Sequence, residues 1–334
     1  MQEITTCKKK CYFKKIRDAF RWVRLMAHKP IIEIDAGAQP VLVVGSGRSG
    51  TTWVANVLSS ITKSRQIFEP FIWHKSGHFL YACGGESDLE SRDMNYQFYL
   101  RPQCSDCIPK EQIAKILFRR HRNSWCDQMC RHGFYRRRLV KSIRANLFMG
   151  YVAWNWPSLK ILWILRNPVD VVESMVAMRK AGYGFDWSVE SIKSRPELLG
   201  DWLAPFLPEM EAAKSLARRL AHRWCIEQFV PLKQGVKDRP NVLPVRYEKL
   251  RADRRQWARV MEFLGCADYD AGLLERESLK PSRVSRPGAL RRKDRAHLDA
   301  GEIEYIKQTV RLYGLESLIC DSSMDDYALA LKNR

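Results

Sequence analysis

Apolar residues follow two alternating patterns along the chain. Short, mostly apolar runs at Val41–Val44, Leu139-Val140-Lys141, Lys160–Leu165 and Asn241–Arg246 read as strands. The most continuous of them have the character of strands buried on both faces of a parallel sheet. Between the runs lie longer stretches with helical spacing: Thr51–Ile61, Lys110–Arg120, Val169–Lys180, Glu209–Phe229 and Arg254–Leu264. Another short strand is expected over Ser64–Pro70, ending at Glu69. The alternation predicts an α/β fold of three layers, a central parallel sheet flanked by helices. Pro30 and the Gly37/Pro40 region punctuate the entry to the first strand. The expected organisation is a basic N-terminal helical segment over 1–37, a single domain over 38–320 and a tail over 321–334. Within the domain, a Cys-rich insertion is expected at about 74–135 and a lid-like, loop-rich segment at about 181–208.

Two strands lead into turns that carry an arginine. Val41–Val44 runs into Gly45-Ser46-Gly47-Arg48-Ser49-Gly50-Thr51-Thr52-Trp53. The glycine spacing is that of a phosphate-binding loop, so the fold is expected to be P-loop-like. A nucleoside-triphosphate loop, however, has lysine where this chain has Thr51. The cation sits earlier, at Arg48, and the backbone amides that open the next helix are still free to cradle a phosphate. Lys160–Leu165 runs into Arg166-Asn167-Pro168, and Ser174 follows eight residues after Arg166, on the next helix. Ligands of open α/β sheets bind at the carboxyl ends of strands. Both turns therefore aim cations and hydroxyls at one crevice, which suits a ligand with two separated phosphate groups.

Charge narrows the partners. The 334 residues include 57 Lys plus Arg against 37 Asp plus Glu, a net charge of +20. Such an excess favours polyanions: nucleic acid, an anionic membrane, or an anionic cofactor and substrate. A nucleic-acid-binding protein is the alternative of a different class. The chain has no recognised nucleic-acid module and its basic residues are dispersed, so no nucleic-acid partner is expected. Residues 8–29 interleave Lys/Arg with Phe13, Ile16, Phe20, Trp22, Val23 and Leu25. They read either as a helix packed on the domain or as a basic amphipathic helix in peripheral contact with a membrane. No apolar run is long enough to span a bilayer and no signal-peptide h-region is evident, so a cytoplasmic location is the expectation.

Arg48-Ser49-Gly50-Thr51-Thr52-Trp53 resembles the 5′-phosphosulfate loop of sulfotransferases, and Arg166 with Ser174 resembles their 3′-phosphate motif at the same spacing. Phe68-Glu69-Pro70 and Leu139-Val140-Lys141-Ser142-Ile143-Arg144 resemble segments of the Golgi-type carbohydrate sulfotransferases. Arg246-Tyr247-Glu248-Lys249-Leu250 is similar to the family's Tyr-Glu-x-Leu segment. Ser285-Arg286-Pro287-Gly288 falls where many sulfotransferases place a late basic loop, though the usual tryptophan is missing. The resemblance covers about residues 40–314.

It implies 3′-phosphoadenosine 5′-phosphosulfate (PAPS) as donor and adenosine 3′,5′-bisphosphate (PAP) as product. The acceptor hydroxyl is expected on a carbohydrate or glycoconjugate; a small alcohol, phenol or lipid is the alternative. A degenerate nucleotide-triphosphate enzyme and a relative that binds the donor without turnover also stand as readings. Arg48, Ser49, Gly50, Thr51, Thr52, Trp53, Arg166, Ser174, Arg246 and Arg286 are the implied donor-binding residues. Glu69 is the candidate base, against a structural ion-pairing role, and Lys141 and Arg48 are the candidate cations on the leaving group. His74 and His78 lie near Glu69 but match no motif.

Ten cysteines are many for such a chain. Cys104, Cys107, Cys126 and Cys130 have the C-x2-C and C-x3-C layout of a structural zinc site. Disulfides and free thiols are the competing readings.

Overall fold

The computed structural model describes residues 31–34, 38–71, 98–104, 107–118, 125–130, 133–180, 189–281 and 298–319. Five parallel strands form the central sheet: β2 (Val41–Gly45), β3 (Ser64–Phe68), β5 (Arg137–Ser142), β6 (Lys160–Leu165) and β7 (Val242–Arg246), in the order β3-β5-β2-β6-β7. Two residues each of β1 (Ile32–Glu33) and β4 (Phe134–Tyr135) pair separately, also in parallel.

The period-two geometry of a strand sorts the apolar run into two cores. Val41 and Val43 join Leu139, Leu162, Ile164, Leu243 and Val245 on one face. Leu42 and Val44 join Ile67, Val140, Ile161, Trp163 and Leu165 on the other. The first face is covered by α1 (Thr51–Ile61), α8 (Arg254–Phe263) and α9 (Ala271–Ser278) through Trp53, Leu58, Trp257, Val260 and Leu274. The second is covered by α2 (Cys107–Phe118) and α3 (Met149–Asn155) through Ile113, Leu117, Tyr151 and Val152. A third core joins α4 (Pro168–Lys180), α6 (Leu216–Lys233) and α10 (Ala300–Leu312). The expected three-layer architecture is therefore the observed one.

The helix expected over Glu209–Phe229 is two. α5 (Leu207–Ala212) stops at Ala213, and α6 starts afresh where Ser215 Oγ accepts the Arg218 N–H at 3.2 Å. A serine between apolar residues of matching period is a start signal, and here it outweighs the continuous pattern. The segment expected to be loop-rich is helical where it is described. Glu190–Lys193, Pro196–Leu198 and a π-helical turn at Leu199–Leu203 bury Ile192, Leu198 and Leu203 in the third core. Helices α3, α7 (Tyr247–Ala252), α9 and α10 had no counterpart in the sequence pattern. Among the described residues no helix is long and apolar enough to cross a membrane. The basic segment over residues 8–29 lies outside the described residues.

His222 on α6 is fully buried, its ring nitrogens 3.3 and 3.0 Å from the hydroxyls of Tyr313 and Tyr305. Burial lowers its pKa to about 4, so the folded protein holds it neutral at pH 7. The unfolded chain takes up that proton near pH 6.5 and the folded one does not. The stability His222 contributes is thus complete above pH 6.5 and lost as pH falls toward 4. At pH 4.5 the loss is expected to reach about 2–3 kcal/mol. Denaturant unfolding across this range should show a shallower acid limb for His222→Gln than for the wild type; equal slopes would refute the assignment.

Candidate active site

The turn after β2 is shaped by close approach. A Cβ on Gly45 would stand 2.5 Å from the carbonyl oxygen of Ile164 on the neighbouring strand, a distance only glycine avoids. Arg48 has φ 69° and Gly50 φ 91°, so the chain turns through the left-handed region twice before α1 begins at Thr51. For an arginine this is a strained conformation, of the kind that collects at functional sites. The helix start has no side-chain cap and no acidic residue in its first turn. Ser49 Oγ is buried there without a hydrogen-bond partner. Amides at the positive end of a helix dipole, with no carboxylate beside them, form a receptor for an anion.

The second turn faces the first, because β2 and β6 are adjacent where the order of connections reverses. Asn167 Oδ1 accepts the Val169 N–H at 2.9 Å and so launches α4 directly after Arg166. The two segments touch. Arg48 Nε donates to Ser174 Oγ at 2.9 Å, and Arg166 Nη1 donates to the Arg48 carbonyl at 2.9 Å. Arg166 also reaches Asp170 at 3.4 Å, while its Nε is buried without a partner. Its guanidinium lies 4.7 Å from the centroid of the Tyr247 ring, at the end of β7. Arg246 pairs in register with Leu165, which puts it at the same edge of the sheet.

A buried charge cluster borders this crevice. Phe68 and Lys141 are register partners on β3 and β5, and the next residue, Glu69, turns out at φ 45°. Glu69 is 3% exposed; its Oε1 accepts from Lys141 Nζ, and both its oxygens accept from the Ile143 N–H, at 3.1 and 3.2 Å. Arg144 stands 3.5 Å from Oε2. Burial pushes the Lys141 ammonium below its ordinary pKa; Glu69 pulls it back up, and Arg144 and Arg48 add to the push. On α6, Arg223 pairs with Glu227 at 2.9 Å, both buried, and their charges act on Arg144. Gln228 on the same helix donates to Ser46 Oγ at 2.7 Å, which braces the loop from below.

The sequence profile of the sulfotransferase family matches residues 40–270, spanning both turns and the charge cluster. The chain belongs to that family. None of the curated proteins compared with this sulfotransferase matches it. Among solved structures it is similar to a mouse sulfotransferase, SULT7A1, complexed with PAP, at 14% identity over 88% of this chain and 91% of that one, TM-score 0.44. It is also similar to the sulfotransferase domain of the Synechococcus PCC 7002 olefin synthase, at 16% identity over 86% and 96%, TM-score 0.41. A sulfotransferase from Alicyclobacillus acidocaldarius has 19% identity over 86% and 98%, TM-score 0.38.

The residues singled out in the sulfotransferase's sequence are distributed unevenly. Arg48, Arg166 and Ser174 meet at the junction of the two turns, Ser49 and Gly50 lie in the first turn, and Thr51 and Thr52 open α1. Trp53 is 4% exposed and sits edge-on to Tyr247 and Trp257, its Nε1 donating to the Ser278 carbonyl at 3.2 Å. Glu69 and Lys141 are one ion pair rather than two independent groups. Arg286, His74 and His78 lie outside the described residues.

The four-cysteine zinc reading finds no support. Among the described residues no three His, Cys, Asp or Glu side chains gather to hold a metal. Cys126 is buried, and Cys130 directs its thiol to the Gln66 carbonyl at 3.6 Å. The Cys107 side chain lies outside the described residues. Their neighbour Asp127 is instead committed to Arg65, at 2.7 Å. Sequence reading placed Tyr247 in a family segment without a site role, and it passed over the Arg223–Glu227 pair and Gln228. The available signal for the pair was an Arg and a Glu four apart on a helix otherwise apolar on that side.

Proposed function

We propose that this sulfotransferase moves the sulfuryl group of PAPS to an acceptor hydroxyl on a carbohydrate or glycoconjugate. The observation that carries the donor is the direct contact of the two turns, Arg48 to Ser174 and Arg166 to the Arg48 carbonyl, which gathers two cationic phosphate sites into one crevice. The uncapped start of α1, the partnerless Ser49 hydroxyl and the partnerless Arg166 Nε fit an anionic ligand with two separated phosphates. The donor supplies an activated sulfuryl group. The amides of Ser49–Thr52 with Arg48 hold the 5′-phosphosulfate, and Arg166 with Ser174 holds the 3′-phosphate. The acceptor oxygen attacks sulfur in line with the bond to the 5′-phosphate oxygen, so one S–O bond forms as the other breaks. Glu69 Oε2, the oxygen that Lys141 does not hold, takes the acceptor's proton. Lys141 and Arg48 neutralise the charge that develops on the departing PAP.

Support for a carbohydrate acceptor comes from the Phe68-Glu69-Pro70 and Lys141/Arg144 segments and from the net charge of +20, which suits an anionic glycan. The test is an acceptor panel with sulfur-labelled PAPS: neutral and uronic-acid glycans and glycolipids against simple phenols, alcohols and sterols. Label on a glycan is the expected result. Label confined to the small acceptors would overturn the carbohydrate assignment and leave the donor assignment standing.

A further inference from the structure

Five charged side chains from three parts of the fold gather around Glu69, and their charges do not balance. Glu69 follows β3, Lys141 lies on β5, Arg144 follows that strand, and Arg223 and Glu227 lie one turn apart on α6. Three cations meet two carboxylates. Lys141 Nζ and the Ile143 N–H already donate to Glu69, and Arg223 Nε donates to Glu227 at 2.9 Å. The Arg144 guanidinium keeps one polar contact among the described residues, a 3.5 Å approach to Glu69 Oε2. A full charge-assisted bond between such groups spans about 2.7–2.9 Å, so this pair is loose. Burial pushes the Arg144 guanidinium below its ordinary pKa; Glu69 and Glu227 pull it back up, and Arg223 adds to the push. The other four side chains are 4% exposed or less, whereas Arg144 is 18% exposed and meets solvent.

The backbone holds Arg144 in place. Its N–H donates to Ser142 Oγ at 3.0 Å. Two residues on, Asn146 Nδ2 donates to the carbonyls of Ile143 at 3.0 Å and Gly45 at 3.4 Å, which fastens this turn to the end of β2. A fixed, largely desolvated guanidinium with N–H groups still unused is a receptor for an oxyanion. In sheet order β5 and β6 flank β2, so Arg144 and the 3′-phosphate motif at Arg166 stand on opposite sides of the phosphate loop. Arg144 therefore lies on the Glu69 side, where the acceptor is assigned. We propose that Arg144, with the charge of Arg223 behind it, binds an acidic group of the acceptor next to the hydroxyl that Glu69 deprotonates. The preferred acceptor is then a glycan that carries a carboxylate or a sulfate ester close to the position sulfated. The proposal rests on the donor and carbohydrate assignments above. Such an anion evens the charges of the cluster at three and three.

The experiment titrates PAP-loaded protein with two matched pairs of glycans and measures kcat/KM for the same four with labelled PAPS. One pair is a uronic-acid glycan and its carboxyl-reduced form; the other is a sulfate-ester glycan and its desulfated form. The proteins are the wild type, Arg144→Gln and Arg144→Lys. The wild type is expected to favour the charged member of at least one pair by at least about tenfold, in affinity and in kcat/KM, and Arg144→Gln to reduce that ratio below about threefold. The pair that shows the preference tells carboxylate from sulfate ester. Lysine keeps the charge without the fork and should retain part of the ratio. An effect of the substitution on Glu69 acts on both members of a pair alike and cancels in the ratio. A ratio that survives in Arg144→Gln would overturn the proposal, because a merely structural role weakens both members together. Should the glutamine variant not fold, Arg144→Met keeps an unbranched stem without the charge and is read by the same criteria. Label on no glycan overturns the carbohydrate assignment and this proposal with it; equal labelling of both members in both pairs overturns this proposal alone.

Discussion

Arg166→Ala is expected to weaken PAP binding by at least about 100-fold while leaving the protein folded. A guanidinium offers a phosphate two parallel charge-assisted hydrogen bonds, each worth about 1.5–3 kcal/mol, and each 1.4 kcal/mol is a factor of ten in affinity. The substitution also removes the donor to the Arg48 carbonyl and the cation over Tyr247, so the neighbouring loop loses a tether. The cost to folding is small by comparison. Besides the Tyr247 ring, the described Arg166 contacts are one hydrogen bond and a 3.4 Å pair with Asp170, a residue that is itself 27% exposed. Arg166→Lys keeps the charge without the fork and should fall between the two, at about a tenfold loss. Titration of the three proteins measures the series. Unchanged affinity in the alanine variant would show that the turn after β6 does not hold a phosphate.

Glu69→Gln is expected to lower turnover by about 10²–10⁴, the range for removing a positioned general base, with PAP affinity within a few-fold of wild type. The same change reaches the fold, because it strips the counter-charge from a buried lysine. Removing one partner of a buried pair costs about 3–5 kcal/mol where the remaining charge cannot be satisfied. That part of the effect has a pH signature. Burial already holds Lys141 below its ordinary pKa, and Glu69 is the group pulling it back up. In the variant the folded-state pKa drops further. Between that value and the unfolded value near 10.4, the unfolded chain binds a proton that the folded one lacks, so stability rises with pH there. The stability deficit of the variant is therefore greatest below its folded-state pKa and shrinks as pH rises toward 10. Denaturant melts at pH 7 and pH 9.5 read the structural part; single-turnover rates read the chemical part. A variant with full turnover would reduce Glu69 to the structural partner of Lys141.

The parts of this molecule that are legible in its sequence are those decided over a few residues. Val41–Val44 followed by Gly45 to Gly50 specifies a buried strand and a phosphate loop, because apolar continuity and glycine spacing are local properties. Arg166 and Ser174 are legible for the same reason, lying eight residues apart across one turn. What brings Arg48 to Ser174, 126 residues away, is the adjacency of β2 and β6, which no local pattern encodes. The Glu69–Lys141 pair likewise exists only because β3 and β5 align Phe68 with Lys141. Tyr247 was visible as part of a motif, but its contact with the Arg166 guanidinium depends on where β7 ends. The cysteines misled for the converse reason. Their spacing is local, whereas the Cys130 thiol is directed to the Gln66 carbonyl and Asp127, and Asp127 is paired with Arg65 across 62 residues. The break at Ala213 escaped because the apolar period runs through it undisturbed, and only the cap at Ser215 marks the restart.

Every role proposed for the residues of this chain requires that the two turns at the carboxyl ends of β2 and β6 form a single site for a bisphosphorylated adenosine. Calorimetric titration of the wild-type protein with PAP tests it most directly. The predicted result is one site per chain with a dissociation constant on the order of micromolar, weakening as salt is raised because the contacts are ionic. A folded protein that releases no heat with PAP, and shows no shift in melting temperature at millimolar nucleotide, would contradict it.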